Sequence, residues 1–566
     1  MMMSLRNWLL GTAVFASLAS ATPAPNYGGS NSSGSLPVVN LGYEKQRATL
    51  YNSTGGYYNF SNIRYAAPPV GDLRFAAPQA PAKNLSVVQT GSPGRICPQA
   101  DPAWLLIAEQ FLPLYLGQGQ TQFNSSSFNV SSSGGLPAVD PRTTEDCLFL
   151  DVVVPKAIFD NAGKGKGAPV LVWIYGGGYT AGDKTDSGSS AGLILRSQSN
   201  NSTGVIYVAM NYRLGAFGWL SGPTFQENGT ANAGLYDQRF ALEWVQKHIS
   251  KFGGDPSRVT VFGESAGGGS VMHQITAYGG AKPVPFQQAL TQSPGFQPLA
   301  SNNQNEQIFN DYLAILNVST LQEARSLPFE TLMTANTIQV GQSKYGFFVY
   351  GPAVDGDFVP ALAGELLLHG QYAKNLSIMV GHNLDEGLLF TSPYNSNNSA
   401  VEESLLTALP TLVGLPNVTD YILNTLYPPI FDGSQAQGYT NQIARAAAIS
   451  SELIFTCNTF YLDKAFNNNT HAYYFTIFPG LHGMDIPYTY FNGPSPSVLN
   501  DTVATTLQQY ITRFAETGNP NSPRAPYFPV YGSNATVQDL NISSITQVRD
   551  PAANYRCDFW QKALYQ

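Results

Sequence analysis

Charged side chains are scarce in this sequence of 566 residues. They make up 12% of it, where soluble domains carry about 25%. Lysine and arginine number 29 against 37 aspartates and glutamates, so the formal net charge is −8, and no basic run occurs. Binding to nucleic acid or to an anionic membrane surface requires clustered basic residues that neutralise phosphates. The composition therefore argues against both classes of partner.

Cysteine is also sparse, with four residues, and no CxxC pair is present. This spacing argues against a zinc site, which takes closely spaced thiolates. An even number of cysteines favours disulfides in an oxidising compartment, but the spacing does not choose among the possible connectivities. The four cysteines are Cys97, Cys147, Cys457 and Cys557.

Long hydrophobic runs are missing as well. Beyond the N-terminus no stretch is long and apolar enough for a transmembrane segment, and the C-terminus has no hydrophobic tail for a lipid anchor. Residues 1–21 are typical of a secretory signal peptide, with Arg6 before an apolar stretch and Ala19-Ser20-Ala21 as the cleavage site. Residues 22–38 predict a flexible leader. About seventeen N-x-S/T sequons also favour a secreted, extracellular glycoprotein.

Apolar residues make up 43% of the chain, enough for a large core. Continuous apolar runs predict strands buried on both faces, typical of a mostly parallel sheet. Helical spacing between the second and third runs predicts a helix over 235–252. With no interior linker, residues 39–566 are predicted to form one α/β domain, with flanking helices and large insertions. The strand runs are 168–175, 204–210, 258–263 and 376–381.

The third run leads into Gly263-Glu264-Ser265-Ala266-Gly267, and a helical pattern follows. A strand-turn-helix of this kind exposes a serine hydroxyl at the C-terminal edge of the sheet, and its tight turn needs small flanking residues. Ser265 would lie at a helix N-terminus, where backbone N–H groups and the helix dipole favour negative charge. We predict that Ser265 is a nucleophile and that the Ala266 N–H faces a developing oxyanion.

A second glycine-rich turn, Gly176-Gly177-Gly178, follows the first strand run. Glycines allow backbone N–H groups to approach a substrate carbonyl oxygen closely. Together with the serine turn, this loop predicts an oxyanion hole formed by Gly177, Gly178 and Ala266.

A serine nucleophile needs a base, and the sequence offers six histidines. In the α/β-hydrolase fold the chain order is serine, acid, histidine. His248 and His273 are expected on helices beside the serine turn. His369 and His382 precede or adjoin the acid candidates. His471 begins an apolar strand pattern and is expected at the surface or at a sheet edge. His482 follows that strand, where catalytic groups of parallel sheets gather, and is the predicted base.

The acid is expected after the fourth strand run. Asp385 and Glu386 both occupy that position, and spacing does not separate them. Asp355 and Asp357 are further candidates, although their sequence context is more typical of turn formers.

Several motifs carry a family resemblance. Residues 252–255 leading into 261–267 form one, and 145–152, 211–215 and 232–239 form others. On these residues the chain resembles the type-B carboxylesterase/lipase family, which includes cholinesterases and fungal extracellular lipases. The resemblance runs from about Val39 to the end of the chain, with Tyr175 where the family usually has histidine or a bulky residue.

The resemblance implies Glu386 as the acid, because that residue precedes Gly387 in the matching motif. It implies no metal and no cofactor. It also implies two disulfides, the second being the pair that remains, and two salt bridges. These pairings are Cys97–Cys147, Cys457–Cys557, Arg74–Glu145 and Arg213–Asp237.

The expected function is hydrolysis of carboxylic esters through an acyl-enzyme, with Ser265 as nucleophile, His482 as base and Glu386 orienting it. The substrate would be a small-molecule or lipid ester. Alternatives are a specialised esterase of a natural-product or aromatic ester, and a non-catalytic binding or adhesion relative. The sequence specifies neither the ester nor an oligomeric state.

The segment between Cys97 and Cys147 contains a largely apolar helical pattern over 103–116. The corresponding loop is a flap over the site in lipases of the family. Two interpretations stay open for this segment: a lid or pocket wall, and plain core packing.

Overall fold

A computed structural model describes residues 36–123, 139–199, 202–298, 301–434 and 438–565. The predicted signal peptide and the leader up to residue 35 lie outside the described residues. The first strand begins at Val38, where the leader was expected to end.

The strands are short at both ends of the chain and longest in its middle. In chain order they are β1 (Val38–Asn40), β2 (Lys45–Arg47), β3 (Leu50–Asn52), β4 (Tyr57–Arg64), β5 (Val88–Gln89), β6 (Phe149–Pro155), β7 (Ala168–Ile174), β8 (Ile206–Met210), β9 (Gly254–Glu264), β10 (Gln288–Gln292), β11 (Ser377–Asn383), β12 (His471–Phe475), β13 (Thr536–Leu540) and β14 (Ile545–Arg549).

An 11-stranded sheet organises the described part of the chain, in the order β14-β13-β12-β11-β10-β9-β7-β8-β6-β4-β3. From β8 to β13 all neighbours are parallel. Antiparallel strands complete both edges, with β6, β4 and β3 at one and β14 at the other. A smaller sheet holds β1, β2 and β5. The α/β prediction is confirmed, because all residues of β7 and β8 are buried, as continuous apolar runs require.

Helices flank this sheet. In chain order they are α1 (Trp104–Gln118), α2 (Lys156–Phe159), α3 (Ala191–Ser197), α4 (Gly215–Trp219), α5 (Pro223–Gln226), α6 (Ala233–His248), α7 (Ala266–Thr276), α8 (Asn302–Leu316), α9 (Leu321–Arg325), α10 (Phe329–Gly341), α11 (Ala363–Leu368), α12 (Asn398–Ala408), α13 (Pro416–Asp420), α14 (Gln442–Ser451), α15 (Cys457–Ala465), α16 (Ile486–Thr489), α17 (Asp501–Thr517) and α18 (Tyr555–Gln561).

Two long helices illustrate how the layers join. Helix α7 packs against β9 and β10, and α17 packs against β7 and β9. Asn500 caps α17 by accepting the backbone N–H groups of Thr502 and Val503, and Gly518 ends it in the left-handed conformation. Within the described ranges, no helix combines the length and the apolar character needed to cross a bilayer.

Both disulfides that the resemblance implied are formed. Cys97–Cys147 closes the loop that carries α1, and Cys457–Cys557 ties α15 to α18, with Cα–Cα distances of 5.0 and 5.1 Å. Both implied salt bridges are present, Arg74–Glu145 at 2.6 Å and Arg213–Asp237 at 2.7 Å.

The Arg213–Asp237 pair is buried and bidentate, since Nε and Nη2 each donate to one carboxylate oxygen, at 2.8 and 2.7 Å. We expect Asp237→Asn to lower the free energy of unfolding by about 3–5 kcal/mol, because it leaves a buried guanidinium without its counter-charge. Chemical denaturation and the melting temperature would measure this loss. The exposed Lys156–Asp160 pair supplies the control: Asp160→Asn should leave the melting temperature unchanged. Equal effects of the two substitutions would contradict the prediction.

Candidate active site

Ser265 lies in a strained turn between β9 and α7. Its backbone adopts φ 58° and ψ −126°, a conformation that costs a non-glycine residue about 1–3 kcal/mol. The surrounding backbone holds it there: the Ser265 N–H donates to Gln292 O at 3.0 Å, and the Ser265 carbonyl accepts the N–H groups of Gly269 and Gly295 at 2.8 and 2.9 Å. Strain maintained by this many bonds is typical of a functional position.

The glycines of the turn are required by close packing against the end of β7. A Cβ on Gly263 would lie 2.6 Å from the Ile174 carbonyl oxygen. A Cβ on Gly267 would clash with the same oxygen and lie 2.8 Å from that of Tyr175. The turn therefore touches the strand that leads into the triple-glycine loop, which places Ser265 beside that loop.

The three predicted oxyanion-hole residues lie around this contact. Gly178 and Ala266 line the same cavity as Ser265. Ala266 is the first residue of α7, so its N–H has no carbonyl of the helix to bind. Gly177, with φ 103°, lies in the triple-glycine turn. Its carbonyl accepts hydrogen bonds from the N–H groups of Thr180 and Ala181, both at 3.1 Å.

His482 and Glu386 form a buried pair. His482 Nδ1 lies 2.6 Å from Glu386 Oε2. Glu386 Oε1 accepts the Ser293 hydroxyl at 2.6 Å and the Asn383 N–H at 2.5 Å. Although burial favours the neutral acid, the charge of His482 and these hydrogen bonds lower the pKa of Glu386. The carboxylate is therefore held ionised against the imidazole.

The imidazole is fixed by aromatic rings. His482 packs on Phe455 at 4.2 Å and on Phe390 at 5.1 Å between ring centroids, and both phenylalanines line the cavity at Ser265. Within the described residues, His482 Nε2 has no hydrogen-bond partner. The lack of a bond from Nε2 to the Ser265 hydroxyl is compatible with His482 as the base, because bonds between a base and its nucleophile are often long before substrate binds. A hydroxyl, a carboxylate-bound imidazole and free amide donors around one cavity suit acyl transfer.

The comparison with known families agrees with this geometry. A family model described as the carboxylesterase family matches residues 43–560. The chain belongs to the carboxylesterase family. Its type-B resemblance is thereby confirmed, and with it the assignment as an ester-hydrolysing enzyme.

Three fungal proteins are among those similar to this chain. Carboxylesterase patB from Penicillium expansum is 42% identical over 94% of this chain and 96% of that protein. A protein named secreted lipase from Arthroderma benhamiae is 31% identical over 74% of this chain and 83% of that protein. The crystal structure of EstA from Aspergillus niger matches with a TM-score of 0.76 at 25% identity, covering 93% of this chain and 98% of that one.

Glu264 is a member of the site that sequence reasoning missed. Its Oε1 lies 3.4 Å from His482 Nε2 and has no hydrogen-bond partner among the described residues. Burial raises the pKa of Glu264 to about 8. Although burial opposes protonation of His482, the charges of Glu264 and Glu386 raise its pKa. The one sequence signal for Glu264 was its position: it directly precedes Ser265, and the base must lie near that serine.

The other acid candidates have different partners. Asp385 follows β11 but donates its N–H to Gly480 O at 2.8 Å, and no hydrogen bond of the described structure links its carboxylate to His482. Asp355 forms a turn, as its context indicated, by accepting the N–H groups of Asp357 and Val359 at 2.9 Å.

The expectation for His471 is wrong. It is buried, and its strand β12 lies between β11 and β13 rather than at an edge, because β13 and β14 extend the sheet beyond it. His471 Nδ1 pairs with Pro529 O at 2.8 Å, while His382 Nε2 pairs with Asp550 at 3.1 Å. His273 Nδ1 pairs with the Gly269 carbonyl at 2.8 Å.

Glu386→Gln and Asp385→Asn form a matched pair of neighbouring acid-to-amide changes. We expect Glu386→Gln to lower kcat by about 10⁴, because an amide no longer stabilises the imidazolium or fixes its tautomer. Asp385→Asn should leave kcat near that of the wild type. Steady-state hydrolysis of p-nitrophenyl butyrate measures both, with circular dichroism as the folding control. A larger loss in Asp385→Asn would reassign the acid.

Glu264→Gln tests the carboxylate opposite Nε2. His482 must be neutral to accept a proton, so the rising limb of kcat/KM against pH follows its pKa. The imidazolium lowers the pKa of Glu264, and ionised Glu264 raises the pKa of His482. Because each charge favours the other, we expect the limb to move to lower pH in Glu264→Gln. Glu243→Gln, an exposed change on α6, should leave the limb in place. A limb that stays or rises in Glu264→Gln would contradict the assignment.

Proposed function

We propose that this protein is a secreted serine carboxylesterase that hydrolyses carboxylic esters through an acyl-enzyme on Ser265. The observation that carries the proposal is the 2.6 Å bond between His482 Nδ1 and Glu386 Oε2. Nδ1 is thereby occupied, whereas Nε2 has no hydrogen-bond partner within the described residues, with Glu264 Oε1 3.4 Å away. The ring is fixed beside the cavity of the strained serine. The catalytic residues are then Ser265 and His482, with Glu386 as the positioning acid.

In the acylation step, His482 Nε2 accepts the proton of Ser265 Oγ as this oxygen attacks the ester carbonyl carbon. The carbonyl oxygen becomes an oxyanion that receives hydrogen bonds from the N–H groups of Gly177, Gly178 and Ala266. When the bond to the alkoxy oxygen breaks, His482 donates its proton to that oxygen and the alcohol leaves.

Deacylation repeats these transfers with water. His482 accepts a proton from water as its oxygen attacks the acyl carbon, and the second oxyanion occupies the same donors. The Ser265 oxygen then leaves, takes the proton from His482 and releases the acid. Ionised Glu386 stabilises the imidazolium formed in each half-reaction. The scheme uses no metal and no cofactor.

Secretion is supported by sequence patterns, by the disulfides and by the name of a relative. Residues 1–21 have the pattern of a signal peptide, and sequons are frequent in the chain. Two disulfides without a free cysteine in the described part suit an oxidising compartment. A relative is named a secreted lipase. A non-catalytic binding role is disfavoured, because nucleophile, base and acid are all present.

Ser265→Ala tests the nucleophile. We expect kcat for p-nitrophenyl butyrate to fall by about 10⁶, since removal of such a serine costs about as much as removal of the whole triad. A fluorophosphonate probe should label the wild-type protein and not Ser265→Ala. Ser270→Ala, a second serine near the start of α7, should keep the label. Undiminished turnover or labelling in folded Ser265→Ala would refute the proposal.

A further inference from the structure

A second histidine–carboxylate pair is buried at β11, outside the proposed triad. His382 Nε2 lies 3.1 Å from Asp550 Oδ1, and the two side chains are 3% and 1% exposed. Asp550 follows β14 and accepts two further hydrogen bonds, from the Tyr531 hydroxyl at 2.7 Å and from the Ala552 N–H at 2.8 Å. The proposed acylation and deacylation steps use neither His382 nor Asp550.

Both ring nitrogens of His382 face hydrogen-bond acceptors. Nδ1 lies 3.3 Å from the Asn383 carbonyl oxygen, and Nε2 faces the Asp550 carboxylate. A neutral imidazole has one N–H, whereas an imidazolium has two and can donate to both acceptors. The carboxylate also supplies the counter-charge that a buried imidazolium requires. The surroundings of His382 therefore favour its protonated form.

The residue after His382 is bonded to the segments of both the acid and the base. The Asn383 N–H donates to Glu386 Oε1 at 2.5 Å. Its side-chain Nδ2 donates at 2.9 Å to the carbonyl oxygen of Leu481, which directly precedes His482. Because His382 Nδ1 faces the carbonyl of the same Asn383, the imidazolium is attached to the residue that holds acid and base together.

We propose that His382, held in its protonated form by Asp550, is a positioning residue for Glu386: it fixes Asn383 and provides a positive charge that favours the ionised acid. This inference rests on the proposed function and adds a second charged pair to that site. Ionised Glu386 stabilises the imidazolium that His482 forms in each half-reaction, so His382 acts on catalysis through Glu386. A purely structural pair would contribute to stability alone.

The charges around His382 act on it in opposite directions. Burial lowers its pKa, while Asp550 and Glu386 raise it, and the result lies above the ordinary value of a histidine. Since the Glu386 charge favours the imidazolium, the imidazolium favours the Glu386 anion equally. The other titratable groups near the pair are favoured in their neutral forms, because burial raises the pKa of each; they are Tyr474, Tyr531 and Asp463.

His382→Gln and Asp550→Asn test the charge through the pH profile. A cation beside Glu386 opposes protonation of the Glu386–His482 pair, because that protonation removes a negative charge. His382→Gln removes the cation. Asp550→Asn leaves a neutral imidazole, because burial lowers the pKa of His382 and Asp550 no longer raises it. We expect the rising limb of kcat/KM to move to higher pH in both variants, opposite to the shift expected for Glu264→Gln.

The effects on kcat and KM separate positioning from substrate binding. Neither His382 nor Asp550 lines the cavity at Ser265, so KM for p-nitrophenyl butyrate should stay near that of the wild type. We expect kcat to fall about tenfold, because a misplacement of about 1 Å can cost about a hundredfold. The control is His471→Gln on the neighbouring strand β12. His471 is buried and pairs with a carbonyl, so this change should leave kcat and the limb in place.

The pH dependence of stability tests whether His382 is charged. Its pKa is raised in the folded protein, so its contribution to stability is complete below the unfolded value of about 6.5 and is lost as the pH rises through the folded value. We expect the difference in melting temperature between the wild type and His382→Gln to shrink from about pH 6 to about pH 9. A difference independent of pH would show a neutral pair and overturn the charged role.

Active-site titration with a fluorophosphonate separates the possible failures. Rates are expressed per labelled site, so partial loss of folded protein does not alter them. If the wild type is not labelled at Ser265, the proposed function fails. If all proteins are labelled and the limb stays in place or moves to lower pH in His382→Gln and Asp550→Asn, the proposed function stands and the role of His382 does not. The double variant His382→Gln/Asp550→Asn buries no unpaired charge and should show the same shift to higher pH, which keeps the test decisive where a single variant folds poorly.

Discussion

Where β9 turns into α7, the backbone of Gly267 lies against the carbonyl oxygen of Ile174 at the end of β7, with no room for a side chain. This contact joins the serine turn to the triple-glycine loop, because that loop begins directly after β7. Ser265 has a positive φ in this turn, and hydrogen bonds of its N–H and carbonyl groups hold it there. The nucleophile and the proposed oxyanion donors are thus positioned by one packing contact.

Parallel pairing brings the remaining groups to the same edge. Strands β9 to β12 are neighbours, so the residues that follow them meet: Ser265 after β9, Ser293 after β10, Glu386 after β11 and His482 after β12. This is why chain order and strand patterns predicted the serine and the histidine from sequence. Spacing did not separate Asp385 from Glu386, because both follow β11. Which of two adjacent side chains points towards His482 depends on the local backbone conformation, which spacing does not specify.

Other features were beyond sequence reasoning for physical reasons. His471 was misplaced because β13 and β14, which cover its strand, are short and weakly patterned. Glu264 was missed because its importance comes from a distance to His482 across the turn. The contact between the rings of Trp104 and Phe348 joins residues far apart in the chain, which sequence spacing does not predict.

Acidic side chains cluster at this site, although charged residues are scarce in the sequence as a whole. Three buried acids, Glu264, Glu386 and Asp485, surround one imidazole. Asp485 Oδ2 accepts hydrogen bonds from the Tyr473 hydroxyl and the Gln292 side-chain amide, at 2.5 and 3.1 Å. Burial raises the pKa of Asp485 and Glu264, whereas hydrogen bonds and the His482 charge lower that of Glu386. Glu386 is the one of these three acids whose pKa is lowered, so the anion is most favoured where it binds Nδ1 of the imidazolium.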